Sequence, residues 1–360
     1  MAPQPDFAEI SPTVVIGAGL IGASVGCALT RRNVDVQVID INNSHAVVAS
    51  GRGAGSVDQV ATDEEVKLVV VAVPPASIAA VVAKALARYP NAAITDVGSV
   101  KSHILAQLTE TPGVERYVGS HPMAGSALSG PLTAASELFD DRIWVVTPSE
   151  FSVGWATDRV KTMVRSTRAR MLIRSAEDHD RAVAEVSHLP QLMSSLTAAR
   201  LAQVPGEDLQ LAGQGVRDMT RIAGSEPELW RQIVAGNREQ VRTQLIAVRD
   251  DLDALISNLD EPTSVSSLVE RGRRGASALP GRAGKDPEQF VAVSVLIPDA
   301  PGAMGKLFAD ISEIDVNVED ISIEHDPTQP TGALVMQVRP EQVDALRALL
   351  RERGWANGRD

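Results

Sequence analysis

The sequence predicts an α/β protein in which a doubly wound parallel sheet is followed by an all-helical domain and a small α+β domain. Three observations predict it. A β-branched run at residues 14–16 leads into Gly17, Gly19 and Gly22 and then a small-residue helical pattern. Strand and helix patterns alternate to about residue 176. Strand patterns then vanish from Glu177 until Phe290, where they resume in a βαββα order. These shifts set the expected boundaries: 12–176 for the sheet domain, 177–260 for the helical domain, 261–288 for a flexible linker and 289–360 for the terminal domain.

The first βα unit is the most specific stretch. Gly17 is expected to make a tight turn, Gly19 to let the backbone approach a pyrophosphate, and Gly22 to let the helix pack on the strand. The helix N-terminus, with Leu20 and Ile21 in its first turn, offers N–H groups and partial positive charge to phosphates. A second apolar run at 34–39 ends in Asp40, close to the offset of about 20 residues expected of an acid that binds a ribose. A carboxylate there accepts from a free 2′-hydroxyl and repels a 2′-phosphate, so NAD is favoured over NADP. The alternative is a strand–helix corner that binds nothing.

Residues 67–73 form a valine-rich run stopped by Pro74-Pro75, which predicts a strand buried on both faces. Val73 and Pro74, at its end, join Gly17, Gly19, Leu20, Ile21, Gly22 and Asp40 as cofactor-binding candidates, because ligands of such sheets lie beyond the carboxyl ends of the strands. A helix over 78–86 and strands at 93–96, 117–120, 142–147 and 171–175 complete the sheet, with a helix over 155–167. The expected helices of the second domain span 182–203, 208–222 and 226–259, the last opened by a Ser225/Glu228 capping box. Leu229, Ile233, Val241, Leu245, Val248, Leu252 and Leu255 keep helical spacing along it and predict a surface for a second copy of the chain, hence a homodimer. The 261–288 stretch, rich in Ser, Gly, Arg and Pro, reads as a mobile linker with a basic tract.

A formal charge of −12 argues against nucleic acid or an anionic membrane as partner. Nowhere does the chain hold the roughly 18 uninterrupted apolar residues of a membrane helix, and the first residues carry Asp6 and Glu9 in place of a basic leader. With one cysteine, Cys27, no internal disulfide forms. A cytoplasmic location is expected. No set of side chains has metal-ligand spacing.

Three places carry candidate chemistry. His121, in a loop at a strand end and held by Pro122, titrates near neutral pH and is suited to take a proton from a hydroxyl, although a loop histidine is commonly a surface residue. Ser99 precedes a helix, as an N-cap or as a hydroxyl that reaches substrate. Asp218 and Arg221 stand three apart on an expected helix, either as an exposed ion pair or with Arg221 offering its planar fork to a carboxylate. His188 lies two residues before Pro190 and fits either core or pocket.

Several motifs, in order over residues 13–259, resemble the prephenate/arogenate dehydrogenases of tyrosine biosynthesis. They are Gly17-x-Gly19-Leu20-Ile21-Gly22-x-Ser24, the segments 96–101, 119–125, 187–190 and 218–223, and Trp230 beyond. The tail, with residues 297–302 and 317–321, resembles an ACT domain, a ferredoxin-like module that binds small ligands, often amino acids, between paired domains. The resemblance implies a Rossmann-type sheet and His121 as acceptor of the ring-hydroxyl proton while hydride leaves the same carbon for NAD, with Ser99 assisting. It also implies Arg221 on a substrate carboxylate, His188 positioning substrate and nicotinamide, and Asp218 and Trp230 shaping the pocket. Gly302 and Asn317, on a βα turn and a strand start, are the candidate contacts of a regulatory ligand or else plain turn residues, with tyrosine the expected effector. Ala127 stands where many prephenate-using relatives carry an acidic residue, so prephenate and arogenate both remain as substrates. Two other readings are a non-catalytic protein that binds NAD and an amino acid, and a β-hydroxyacid dehydrogenase. The second lacks its usual lysine, since no lysine falls in the helices around Arg221.

Overall fold

The computed structural model describes residues 7–125, 130–279, 290–298, 300–314, 316–325 and 331–357. They divide into two compact units, 1–253 and 254–360.

In the first unit, β1 (Thr13–Ile16), α1 (Leu20–Thr30), β2 (Val36–Ile39), α2 (Asn43–Gly51), β3 (Leu68–Val71), α3 (Ile78–Arg88) and β4 (Ala93–Asp96) alternate, and the strands form a parallel sheet ordered β2-β1-β3-β4. The chain turns from β1 to β2 on one side and crosses to β3 on the other. The carboxyl ends of β1 and β3 therefore flank the crevice where ligands of such sheets bind. The valine-rich β3 is buried at every position, as a central strand covered on both faces should be.

After β4 come α4 (Ser102–Leu108), β5 (Gly119–Pro122), β6 (Ile143–Thr147), α5 (Gly154–Ser166) and β7 (Arg170–Ile173), the strands forming a second sheet ordered β5-β6-β7. Two expectations are corrected here. The sheet is not parallel throughout, because β5 pairs antiparallel with β6. Between β5 and β6 the described residues hold only short 3₁₀ turns, Pro131–Thr133 and Ser136–Phe139, and no crossover helix, so a parallel return is not available. His121 is not in a loop after the strand but within β5, opposite Val145.

The helical part begins with α6 (Ala176–Val183), runs through a π-helical turn, Ala184–His188, into α7 (Leu189–Leu201), and continues with α8 (Gln214–Thr220), the 3₁₀ turn Arg221–Gly224, α9 (Pro227–Gly236) and α10 (Arg238–Ser257). The π turn sits where Pro190 requires it: the ring lacks an N–H and crowds the carbonyl four residues back, so the wider turn takes up the misfit. The expected helix at 208–222 is three short pieces, and the expected helix at 226–259 breaks at Asn237, whose backbone leaves the helical region. The capping box is replaced as well. Glu226 is the N-cap of α9, and its carboxylate accepts from the N–H groups of Glu228 and Leu229.

In the second unit, residues Pro262–Ser277 form a helix, α11, where composition predicts a flexible linker; Glu261 precedes it and Pro262 takes the first position, which needs no N–H. Residues 280–289 lie outside the described residues. The rest is β8 (Val291–Pro298), α12 (Ala303–Ile311), β9 (Asp320–His325), β10 (Thr331–Val338), α13 (Val343–Glu352) and the short β11 (Ala356–Asn357). The strands form an antiparallel sheet ordered β11-β8-β10-β9, and Val293, Val295, Leu334, Met336, Leu346 and Leu350 fill the core between sheet and helices.

Candidate active site

At the end of β1, Gly17 adopts a φ of +104°, and a Cβ there would collide with the Ala72 carbonyl after β3; one on Gly22 would collide with the carbonyl of Gly17. At Gly19, by contrast, nothing lies within 4 Å of where a Cβ would be, and no side chain caps the N-terminus of α1. The turn is thus closed on the protein side and open in front, a cradle with room for phosphates. Asp40 Oδ2 accepts from the Ala18 N–H at 2.7 Å and Oδ1 from the Asn42 N–H at 2.8 Å, which fixes the carboxylate beside the turn with lone pairs to spare. Val73 and Pro74 follow β3 next to the Ala72 contact, and the N–H of Ala76 donates to Gln232 of α9 at 3.1 Å, joining this edge to the helical part.

The loop from β4 to α4 is organised by a carboxylate that sequence reasoning passed over. Asp96, fully buried, accepts from the Tyr117 hydroxyl and from the Gly98 N–H, both at 2.8 Å, and pairs with the Lys101 ammonium, which also donates to the Ser120 carbonyl at 2.8 Å. Burial lowers the Lys101 pKa, against the opposing pull of Asp96. Ser99 lies half-buried in this loop, between two residues bound to Asp96, and Ser120 is the neighbour of His121. One buried ion pair therefore sets both Ser99 and His121. Ser99 is not an N-cap, since α4 begins at Ser102 after Lys101.

Four histidine-centred contacts follow. His121 Nδ1 lies 2.9 Å from Nε2 of His179, whose Nδ1 lies 2.8 Å from Asp180 Oδ1. The Asp180 carboxylate also accepts from the N–H groups of Lys101 (2.9 Å) and Ser102 (2.8 Å). Asn237, at the break before α10, donates from Nδ2 to the Asp180 carbonyl at 2.7 Å and lies 3.3 Å from His188 Nδ1. His188 in turn meets the Trp230 ring edge to face, with centroids 6.0 Å apart. Burial, then the neighbouring His179, Lys101 and His188, push the His121 pKa well down; burial lowers His188 to about 4. Both rings are neutral at neutral pH.

The structure thus joins His121, His188 and Trp230 in one connected cluster with His179, Asp180 and Asn237. Asp218 and Arg221 are exposed and make no ion pair with each other: Asp218 accepts from Gln214 at 2.9 Å, and Arg221 opens the 3₁₀ turn. That turn is tied to α7, because the Ile222 carbonyl accepts from Gln191 at 3.0 Å, three residues past His188. Ala127 lies outside the described residues. Gly302 caps α12 with a φ of +87°, and Asn317 donates to Glu319 at 2.7 Å. By register the two are at opposite ends of the sheet: Gly302 follows the end of β8 that pairs with Thr331, whereas Asn317 precedes the end of β9 that pairs with Gln337. Within one copy they do not form one site.

Sequence reasoning missed His179, Asp180, Lys101, Asp96 and Asn237. The signal available was charge in apolar surroundings, since Asp96 ends a strand and Lys101 starts a helix.

Comparison with known proteins bears on the same segments. Residues 25–173 match the family model described as "Prephenate dehydrogenase, nucleotide-binding domain", and residues 175–270 that described as "Prephenate dehydrogenase, dimerization domain". The chain is 32% identical to the "Probable prephenate dehydrogenase NovF" of Streptomyces niveus, over 95% of this chain and 98% of that protein. It resembles the crystal structure of Synechocystis arogenate dehydrogenase with a TM-score of 0.62 at 28% identity, covering 73% of this chain and 99% of the other. It also resembles prephenate dehydrogenase from A. aeolicus in complex with hydroxyphenyl propionate and NAD+, with a TM-score of 0.65 at 27% identity, covering 73% and 96%. With both folded segments of the first 270 residues matched in order and one relative matched nearly end to end, the chain belongs to the prephenate dehydrogenase family.

Proposed function

We propose that the protein oxidises prephenate to 4-hydroxyphenylpyruvate and carbon dioxide, with NAD as hydride acceptor and His121 as proton acceptor. The observation that carries this is the neutral His121 ring, anchored through Nδ1 and with Nε2 outside that contact. NAD, held at the glycine turn and Asp40, supplies the acceptor for the hydride. The protein's part is to place the donor carbon, take the hydroxyl proton and exclude alternatives. Oxidation makes a dienone whose ring carboxylate is vinylogous to a β-keto acid, so aromatisation drives loss of carbon dioxide. His188, neutral and approached at Nδ1 by Asn237, presents an Nε2–H donor to an anionic substrate. Arg221 is the candidate carboxylate ligand, Ser99 assists at the hydroxyl, and Trp230 and Asp218 are the candidates that shape the pocket.

Likeness to an arogenate dehydrogenase over 99% of that chain supports arogenate as the second reading. Residues 289–360 are our candidate for an ACT-like domain that senses tyrosine, and the chain for a homodimer. Following NADH at 340 nm with each acid, with and without tyrosine, tests all of this except the dimer. Replacing His121 with Asn should cut kcat by ~10²–10⁴-fold, the usual scale for a general base, with NAD affinity unchanged. Near-normal turnover would remove His121 from the mechanism, and absence of NADH with both acids would refute the function.

A further inference from the structure

We propose that His179 and Asp180 form a proton relay behind His121, fixing its tautomer before the reaction and taking over the positive charge during it. The charge transfer rests on the oxidation proposed above; the tautomer does not. An ionised carboxylate only accepts hydrogen bonds, so His179 must donate to Asp180 from Nδ1. With a single N–H on His179, Nε2 is left as acceptor and His121 Nδ1 is the donor across 2.9 Å. The lone pair of His121 then sits on Nε2, the only atom of the ring left for a substrate. Asp180 is held in this role from three sides, by the Lys101 and Ser102 N–H groups on its carboxylate and by Asn237 on its carbonyl, and it and His179 are each 2% exposed.

The need for a relay follows from the charges around His121. Burial and the neighbouring Lys101, His179 and His188 all oppose an imidazolium there. His179 instead touches a carboxylate, and the Asp96 charge nearby is already matched by Lys101. The step balances as follows. The substrate O–H bond breaks and its proton joins His121 Nε2, while the Nδ1 proton of His121 passes to His179 Nε2. The C–H electron pair leaves as hydride to an oxidised nicotinamide dinucleotide, and the oxygen closes to a carbonyl. When carbon dioxide departs, its bonding pair returns the ring oxygen to a phenolate, which takes the proton back from His121 Nε2 as the Nδ1 proton returns. No proton is released overall.

The test begins with ¹⁵N-histidine NMR of the full-length chain without cofactor. Signals for a bare Nε2 and protonated Nδ1 on His121, and a protonated Nδ1 on His179, are expected. A protonated Nε2 on neutral His121 would overturn the proposal whatever the enzyme's activity. His179→Gln keeps an acceptor for His121 but cannot take a proton. It should lower kcat by about 10²-fold, on the general-base scale, with KM and NAD affinity within threefold of wild type. Its dependence of rate on deuterium fraction should turn from curved, with two protons moving, to linear. Asp180→Asn should redistribute the histidine tautomers seen by NMR and lower kcat by a similar or larger factor. Wild-type kcat and pH profile in folded His179→Gln would also overturn the relay. Failure of the wild-type chain to oxidise either acid would refute the proposed function and the charge-transfer half, while the NMR still decides the tautomer.

Discussion

Arg221 opens a 3₁₀ turn whose position is set by its neighbours: Gln191 on α7 and Ser225 both donate to the carbonyl of Ile222. A guanidinium on such an exposed turn suits capture of a substrate anion better than turnover of it. Arg221→Ala should therefore raise KM at least tenfold and change kcat less, as measured in initial-rate assays; an unchanged KM would leave Arg221 as a surface residue. His188 has a different consequence. Its pKa is lowered from the ordinary 6.5 to about 4 in the folded chain, so the unfolded chain binds the extra proton first as pH falls. The stability it contributes is full above pH 6.5 and is lost as pH drops to 4, about 3 kcal/mol across that window. His121, shifted the same way, adds to the loss. Urea unfolding at pH 7 and pH 4 should show a smaller difference in His188→Gln than in the wild type. His121, Ser99 and His188 drew notice in the sequence because Pro122, Gly98 and Pro190 stand close to them, and Arg221 because Asp218 stands three residues before it. His179 and Asp180 were not, because a His-Asp pair near the start of a helix has no local mark of burial.

Among the elements, those with one dominant period were read from sequence nearly as they occur. The strands β1 to β4 with α1 and α3 belong here, since valine runs and small-residue helices leave no competing pattern, while α2 was not read. Elements fixed by a distant partner were not. The direction of β5 depends on what lies between it and β6, and the break at Asn237 depends on the Asp180 carbonyl and His188, which only the fold brings near. The start of α4 is of the same kind, with Lys101 drawn inward to Asp96 and Ser120. Lys101→Met should cost about 3–5 kcal/mol in chemical denaturation, because it strands the buried Asp96 carboxylate. A loss under 1 kcal/mol would mean that the Tyr117 and Gly98 donors suffice.

For the molecule as a whole, the positions expected to meet a second copy divide: Ile233 and Val241 are buried within the chain, whereas Leu229 on α9 and Leu252 on α10 are exposed, as apolar residues at association sites are. Leu229→Asp combined with Leu252→Asp should halve the mass seen by light scattering if these residues join two copies; an unchanged mass would place any contact elsewhere. The spacing that predicted one continuous surface from Leu229 to Leu255 also predicted one unbroken helix, because periodicity records which side is apolar and neither what covers it nor where the axis bends. Composition likewise suggested a coil at 261–288, whereas Pro262–Ser277 is helical, with Pro262 at its first position where no N–H is needed. The register of the terminal sheet bears on control. Gly302 and Asn317 are separated by about 20 Å of strand, at roughly 3.3 Å per residue. A molecule as small as an amino acid that engages both must be gripped by two chains at once. Feedback by that route would fade on dilution while turnover persisted, so inhibition curves should depend on protein concentration.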